Sequence, residues 1–322
     1  MRAVRVHTTG GPEQLLVDEV SVPQPGDGEI RIRVEAAGVN FIDVYHRTGV
    51  VKLPTPFTPG MEAAGTVDAI GPGVETVAVG DRVAHPFHLG AYAEQQLVPA
   101  DRVVRLPDDV TVDIAAAAML QGLTAHYLTV STFPLGAGQT ALIHAGAGGL
   151  GLTLTQVATR AGATVLTTTS SEEKAARSRA AGAAHVIRYD EQNVAETVRD
   201  LTDGHGVDVV YDSVGRTTAA ASLASLARRG MLVLVGESSG QIDPITPKQL
   251  KSAGSLFLTR PTLADHIRTR EELTWRASDL FAWIAAGDLD VRITERHALD
   301  DAGEAHRRLE SRLTSGKLLL VP

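Results

Sequence analysis

The hydrophobic and polar positions of the chain follow two patterns, and the change lies near residue 140. Before that point, short β-type runs are separated by turn signals such as Gly71–Pro72–Gly73, which predicts an antiparallel β domain. From Thr140 onward, apolar strands alternate with segments of helical apolar spacing, which predicts a doubly wound parallel sheet in an α/β protein. The predicted strands of this sheet are 140–145, 164–168, 185–188, 207–211, 231–235 and 255–258.

The first of these strands runs into glycines with the spacing G-x-G-x-x-G. The segment TALIHAGAGGLG places them at Gly146, Gly148 and Gly151. Backbone N–H groups at a helix N-terminus bind a pyrophosphate, and a Cβ at the closest approach would hold it off. We therefore predict a dinucleotide site, with a structural tight turn as the alternative. The predicted contacts are Gly146, Ala147, Gly148, Gly149, Leu150 and Gly151.

The residues after the second strand of the sheet indicate which dinucleotide binds. NAD-specific sites usually end this strand with Asp or Glu, which holds the ribose 2′-hydroxyl. This chain has Thr169 and Ser170 there, followed by Lys174. Small hydroxyls and a cation suit a 2′-phosphate, so NADPH is favoured over NADH. Tyr189 ends the neighbouring third strand, and its hydroxyl can reach the same phosphate. The alternative for Lys174 is an ordinary solvated helix residue.

Composition excludes several classes of function. The 322 residues predict two domains, and a net charge of −8 argues against a nucleic-acid surface. Cysteine is absent, so disulfides and thiolate chemistry are excluded. No 18-residue apolar stretch occurs, and the N-terminus lacks the apolar region of a signal peptide. We expect a cytoplasmic protein without membrane contacts.

Eight ordered segments resemble the zinc-free quinone oxidoreductase (zeta-crystallin-like) family of medium-chain dehydrogenases/reductases. They include GVNFIDVYHRTG at 38–49, PGMEAAGTV at 59–67, LQGLTAHYL at 120–128, GVDVVYDSVG at 206–215 and AHRRLESRLTSGKLLL at 305–320. The resemblance implies a GroES-like β domain, built from 1–122 and 263–322, around a Rossmann domain at 123–262. It also implies an active site in the cleft between them and a homodimer.

The same resemblance implies that no metal is bound. Zinc alcohol dehydrogenases of the superfamily carry ligands at the positions of Asn40, Met61 and Gln121, and these side chains are poor replacements for thiolate and imidazole. Hydride addition to a conjugated acceptor spreads the developing charge, so hydrogen-bond donors can replace a metal.

By family position, Asn40, Tyr45 and Gln121 are the expected catalytic residues. Asn40 could instead fix a turn, and Tyr45 could only pack. Arg312 matches a position that folds over the adenosine, and Lys317 is a weaker alternative for the phosphate.

The resulting hypothesis is an NADPH-dependent reductase of quinones or related conjugated carbonyls. One alternative is an enoyl or 2-alkenal reductase. Another is a crystallin-like NADPH-binding protein without turnover.

Overall fold

A computed structural model describes residues 1–311 and 314–322 of the chain. Two compact units are present: residues 1–123 with 266–322 form the N-terminal unit, and residues 124–265 form the central unit. The sequence predicts domain boundaries after residues 122 and 262. In the structure the two units divide after residues 123 and 265.

The elements of the first half of the chain are mostly strands, with two helices. They are β1 (Arg2–Arg5), β2 (Leu16–Glu19), β3 (Glu29–Val39), α1 (Phe41–Thr48), β4 (Glu62–Ile70), β5 (Arg82–His85), β6 (Gln95–Pro99), β7 (Val104–Arg105) and α2 (Val112–Tyr127). A π-helical segment, Leu128–Thr132, follows α2.

The second half alternates strands and helices. Its elements are β8 (Thr140–Ile143), α3 (Gly149–Arg160), β9 (Thr164–Thr169), α4 (Glu172–Ala180), β10 (His185–Arg188), α5 (Val194–Leu201), β11 (Val207–Asp212), α6 (Ala219–Ser225), β12 (Leu226–Leu234), α7 (Pro247–Ser252), β13 (Phe257–Thr259), α8 (Leu263–His266), α9 (Arg270–Ala285), β14 (Ile293–Ala298), α10 (Ala302–Glu310) and β15 (Lys317–Val321).

The N-terminal unit is built on a seven-stranded sheet in the order β14-β15-β3-β4-β5-β7, and β6 also pairs with β3. Along β3, Ile30, Ile32 and Val34 are buried while Arg31 and Arg33 point the other way, because side chains alternate across a strand. The C-terminal strand β15 runs antiparallel to the end of β3, with Leu319 opposite Gly38. This pairing brings the last residues of the chain beside the start of α1.

The central unit contains six parallel strands in the order β10-β9-β8-β11-β12-β13. Its core is formed by apolar side chains of these strands, among them Leu142, Leu166, Ile187, Val210 and Leu232. The order reverses between β8 and β11, which is where ligands bind in open α/β sheets. The predicted doubly wound sheet is confirmed.

Some elements differ from the sequence prediction. The first strand of the sheet ends at Ile143 rather than Ala145, because Ala145 adopts a left-handed backbone conformation, with φ of 53°. The helix α2 was not predicted, since its run of alanines is apolar on all sides and has no amphipathic period. Within residues 1–311 and 314–322, no helix is long and apolar enough to cross a membrane.

Candidate functional site

The turn between β8 and α3 forms the predicted phosphate-binding site of the central unit. The helix α3 begins at Gly149, and Gly148 is its N-cap residue. The first N–H groups of a helix have no partner within the helix, and they favour an anion at this end. All six predicted contact residues, from Gly146 to Gly151, lie in this turn or in the first turn of α3.

The three motif glycines have different surroundings. A Cβ on Gly146 would lie 2.5 Å from Thr167 Cβ, and a Cβ on Gly151 would collide with the Ala145 carbonyl oxygen. Packing within the protein therefore requires these two glycines. The nearest atom to a Cβ on Gly148 is the Ala145 carbonyl oxygen, at 3.3 Å. The space in front of Gly148 is the side from which a pyrophosphate can approach, so the turn fits a dinucleotide.

The predicted 2′-phosphate residues lie together at the end of β9. Thr169 is buried, and its Oγ1 has no hydrogen-bond partner among the residues that the structure describes. Lys174 Nζ lies 3.3 Å from Ser170 Oγ. The Tyr189 N–H donates to the Thr169 carbonyl oxygen at 3.2 Å, and the Tyr189 side chain is 50% exposed. The Ser170 hydroxyl and the Lys174 ammonium therefore lie side by side at this end of the strand.

The acidic side chains in the first turn of α4 are held by arginines of the same helix. Glu172 accepts a hydrogen bond from Arg179, and Glu173 accepts one from Arg177. Both carboxylates are exposed and paired, so neither is committed to a ribose hydroxyl at Ser170. The electrostatics at this end of β9 favour a phosphate over a bare 2′-hydroxyl.

A buried polar network at the same edge of the sheet was missed by the sequence analysis. His144 contacts Thr168 Oγ1 and Ser222 Oγ, each at 3.0 Å, and the Ser222 hydroxyl donates to Asp212 Oδ2 at 2.7 Å. Burial lowers the pKa of His144, so it is neutral at pH 7. The signal that could have found His144 and Asp212 is their place at the carboxyl ends of two apolar strands.

In the N-terminal unit, Asn40 precedes α1 and is 4% exposed. Its Nδ2 donates to the Gly38 carbonyl oxygen at 3.1 Å and to Glu62 Oε2 at 3.0 Å. Its Oδ1 accepts a hydrogen bond from Lys317 Nζ at 2.7 Å, and Lys317 also pairs with Glu62 Oε2 at 2.5 Å. The Asn40 side chain is therefore fixed by a buried ion pair.

A second buried chain of hydrogen bonds reaches the backbone of Asn40. Asp43 Oδ2 accepts from the Asn40 N–H at 2.9 Å and from the Tyr92 hydroxyl at 3.0 Å. Tyr92 also contacts His306 Nε2 at 3.2 Å, and Arg47 Nη1 contacts His306 Nδ1 at 3.1 Å. Since arginine only donates, Nδ1 of His306 must accept, and its Nε2 carries the proton.

Burial sets the protonation of this chain. Burial raises the pKa of Asp43 to about 7, although the hydrogen bonds from Asn40 and Tyr92 oppose the shift. Burial lowers the pKa of His306 to about 3, and the neighbouring Arg47 guanidinium acts in the same direction. A neutral His306 is consistent with the proton placement given by the hydrogen bonds.

Tyr45 and Gln121 are both partly exposed. Tyr45 lies one turn along α1 and packs against Phe41, with ring centroids 6.5 Å apart. Gln121 lies in α2, directly after Leu120, whose N–H donates to Glu62 Oε1 at 2.6 Å. The Glu62 carboxylate therefore joins the Asn40 side chain to the backbone next to Gln121.

Comparison with known proteins decides the family. Residues 26–108 match the alcohol dehydrogenase GroES-like domain, and residues 149–282 match the zinc-binding dehydrogenase family. A quinone oxidoreductase of Salmonella typhimurium is 44% identical and is covered over 99% of each chain. The chain belongs to the quinone oxidoreductase family. It is an oxidoreductase of the medium-chain dehydrogenase/reductase type, as the resemblance implied.

Two further relatives add detail to the family assignment. A 2-haloacrylate reductase of a Burkholderia species is 42% identical, and the alignment covers 99% of this chain and 98% of that one. A solved mycobacterial structure complexed with NADPH is 50% identical over 100% of both chains, with a TM-score of 0.97. The family therefore includes members named for different acceptors.

The expectation for Lys317 needs correction. Lys317 is 2% exposed, and its ammonium is paired with Glu62 and Asn40 inside the N-terminal unit, so it is not available to a surface phosphate. The role expected of Asn40 as a free hydrogen-bond donor also changes, because both of its amide N–H groups already have acceptors. The sequence could not reveal this pairing, since Asn40 and Lys317 are 277 positions apart.

The remaining expected positions are Arg312 and those that correspond to zinc ligands. Arg312, expected over the adenosine, lies outside the described residues. At the positions of the zinc ligands in related alcohol dehydrogenases, the amide oxygen of Asn40 faces the Lys317 ammonium, and Met61 is buried. In residues 1–311 and 314–322, no three His, Cys, Asp or Glu side chains are grouped in a way that could hold a metal ion.

Proposed function

We propose that this protein is an NADPH-dependent reductase that transfers hydride to a quinone or a related conjugated carbonyl without a metal ion. The observation that carries the proposal is the end of β9. There the Gly146 N–H of the glycine turn donates to the Thr168 carbonyl oxygen, Lys174 lies against Ser170, and the acids of the first turn of α4 are paired with arginines. The NADPH complex of the mycobacterial relative supports the same cofactor.

NADPH would be held by residues of the central unit and would supply the hydride. The N–H groups at the start of α3 would hold the pyrophosphate. Lys174, Ser170 and Tyr189 would hold the 2′-phosphate, with Thr169 Oγ1 as a further donor. A charge-assisted hydrogen bond to phosphate contributes roughly 1.5–3 kcal/mol.

The acceptor would contact the partly exposed side chains of Tyr45 and Gln121, while Asn40 fixes the start of α1. An ammonium already faces the amide oxygen of Asn40 at 2.7 Å, which disfavours a metal cation at that position. Conjugation spreads the charge that hydride addition creates, so neutral hydrogen-bond donors are sufficient for such an acceptor.

A second candidate is the reduction of an activated alkene. The relative named 2-haloacrylate reductase, at 42% identity over nearly the full chain, favours it. The hydride geometry is shared, and the two candidates differ in the protonation of the neighbouring carbon.

The test is steady-state NADPH oxidation with a panel of quinones, enones and 2-haloacrylate. We expect turnover with at least one quinone, NADPH preferred over NADH, and no loss of activity in EDTA. Turnover with alkenes alone would favour the second candidate. Quenching of NADPH fluorescence without oxidation of NADPH by any acceptor would indicate a binding protein and contradict the proposal, as would stoichiometric zinc.

A further inference from the structure

Lys317 and Glu62 form an ion pair in the interior of the N-terminal unit, with 2% and 0% of their side chains exposed. Removing two charges from water costs several kcal/mol per ion, and apolar replacements of such pairs are often neutral or stabilising. Stability alone is therefore a weak explanation for this pair.

The Glu62 carboxylate links three elements. Its Oε2 accepts from Lys317 at the start of β15 and from Asn40 Nδ2 before α1. Its Oε1 accepts from the Leu120 N–H of α2, next to Gln121. The helices that carry Tyr45 and Gln121 are thus attached to the same buried carboxylate.

The backbone of β3 is shaped to leave room for the pair. A Cβ on Gly38 would collide with Glu62 Oε2 and would lie 2.7 Å from Lys317 Cε and 2.6 Å from the Ala116 carbonyl oxygen. The strand, the helix α2 and the ion pair approach each other at this point because position 38 has no side chain.

Asn40 is held from two sides. Its side chain bonds to Glu62 and Lys317, and its backbone N–H bonds to Asp43, at the end of the chain that runs through Tyr92. A side chain and a backbone fixed by separate networks have little freedom to rotate, which is what a precisely oriented site requires.

We propose that Lys317 and Glu62 are positioning residues for the reduction. They hold Asn40 at the start of α1 and Leu120 in α2, and thereby fix the orientation of Tyr45 and Gln121 toward the acceptor. The inference rests on the proposed function, because positioning is measured through turnover. A merely structural pair would affect unfolding and leave kcat unchanged.

The test compares Lys317→Met, Glu62→Gln and the double variant Lys317→Met/Glu62→Gln. Each single variant leaves one side of the pair without its partner and should unfold at a lower temperature. The double variant leaves no charge at the positions of this pair and should regain thermal stability, yet its kcat should stay at least tenfold below wild type. Its KM for NADPH should remain within twofold, since the cofactor residues are elsewhere.

A matched control is the pair Arg31–Asp68 on β3 and β4, which joins Nε and Oδ1 at 2.7 Å and does not contact Asn40. Arg31→Met/Asp68→Asn should leave kcat unchanged. A second variant, Asn40→Ser, breaks the link to the ion pair without leaving a charge unpaired, and it should lower kcat as the double variant does.

The outcomes separate this inference from the proposed function. A wild-type protein that oxidises no NADPH with any acceptor contradicts the proposed function. An active wild type with wild-type kcat in the double variant or in Asn40→Ser overturns the positioning role alone. Stability restored in the double variant while kcat stays low supports it.

Discussion

Lys174 and Lys317 have different roles because their surroundings differ. The Lys174 ammonium is partly exposed and lies beside the Ser170 hydroxyl, whereas Lys317 is buried against Glu62. A lysine that stays charged in the interior needs a counter-charge, because desolvation penalises the charged form. The sequence predicts the place of Lys174, which lies in the first turn of the helix after β9. The position of Lys317 depends on the pairing of β15 with β3, which local sequence does not specify.

The first prediction concerns the cofactor phosphate. Lys174→Ala should raise the KM for NADPH at least tenfold and leave the KM for NADH nearly unchanged, because only NADPH carries the 2′-phosphate. A tenfold change corresponds to about 1.4 kcal/mol, the lower end of a charge-assisted bond. Steady-state kinetics with both cofactors measures it. Lys248→Ala, in the exposed helix α7, is the control. Equal effects on both cofactors would show that Lys174 does not bind the phosphate.

The second prediction separates packing from ligand binding in the glycine turn. Gly148→Ala should lose less stability than Gly146→Ala, because its Cβ meets its nearest neighbour at 3.3 Å rather than 2.5 Å, but it should weaken NADPH binding at least tenfold. Gly146→Ala should lower the unfolding temperature, because its Cβ would lie 2.5 Å from Thr167 Cβ. Thermal unfolding without cofactor and fluorescence titration with NADPH test the pair. Unchanged NADPH affinity in Gly148→Ala would contradict the proposed approach of the pyrophosphate.

At the scale of elements, the strands of the central unit were predictable because each is a short apolar run bounded by turn residues. The helix α2 was not predicted, although it carries Gln121. The positions of α1 and α2 depend on packing and on Glu62, the first residue of β4, which bonds to Asn40 and to the Leu120 N–H. The candidate cofactor residues lie on predictable turns, whereas the networks around Asn40 join residues far apart in sequence.

The third prediction concerns the edge strand β13. It lies at one end of the parallel sheet, and Phe257 on it is 58% exposed. An unpaired apolar edge favours pairing with a second copy of the chain. We expect a homodimer at micromolar concentration in sedimentation velocity, and Phe257→Lys should weaken it. The control is Trp275→Lys, on the exposed part of α9 outside the central unit. A monomeric wild type, or a dimer unaffected by Phe257→Lys, would exclude this interface.

At the scale of the whole molecule, buried titratable groups connect pH with stability. Burial lowers the pKa of His85 and of His306 to about 3, and it raises the pKa of Asp43 to about 7. As pH falls below 6.5, the unfolded chain protonates both histidines while the folded chain keeps them neutral, so stability falls. Asp43 has the opposite sign between pH 7 and 3.8, because the folded state binds its proton first.

The fourth prediction follows from the balance of these groups. The unfolded chain takes up two protons at His85 and His306, which outweigh the one proton that folded Asp43 binds. The lowered pKa values of His46, His88 and His144 also favour proton uptake by the unfolded chain. We therefore expect the free energy of unfolding to be highest near pH 6.5 and to fall toward pH 4.5, by about 1.4 kcal/mol per pH unit for each net proton. Urea unfolding across pH 7.5 to 4.5 measures this slope. His306→Gln removes one of the two protons and should flatten the acid side of the profile. A free energy of unfolding that stays constant or rises as the pH falls from 6.5 to 4.5 would show that these histidines are not held neutral in the folded protein.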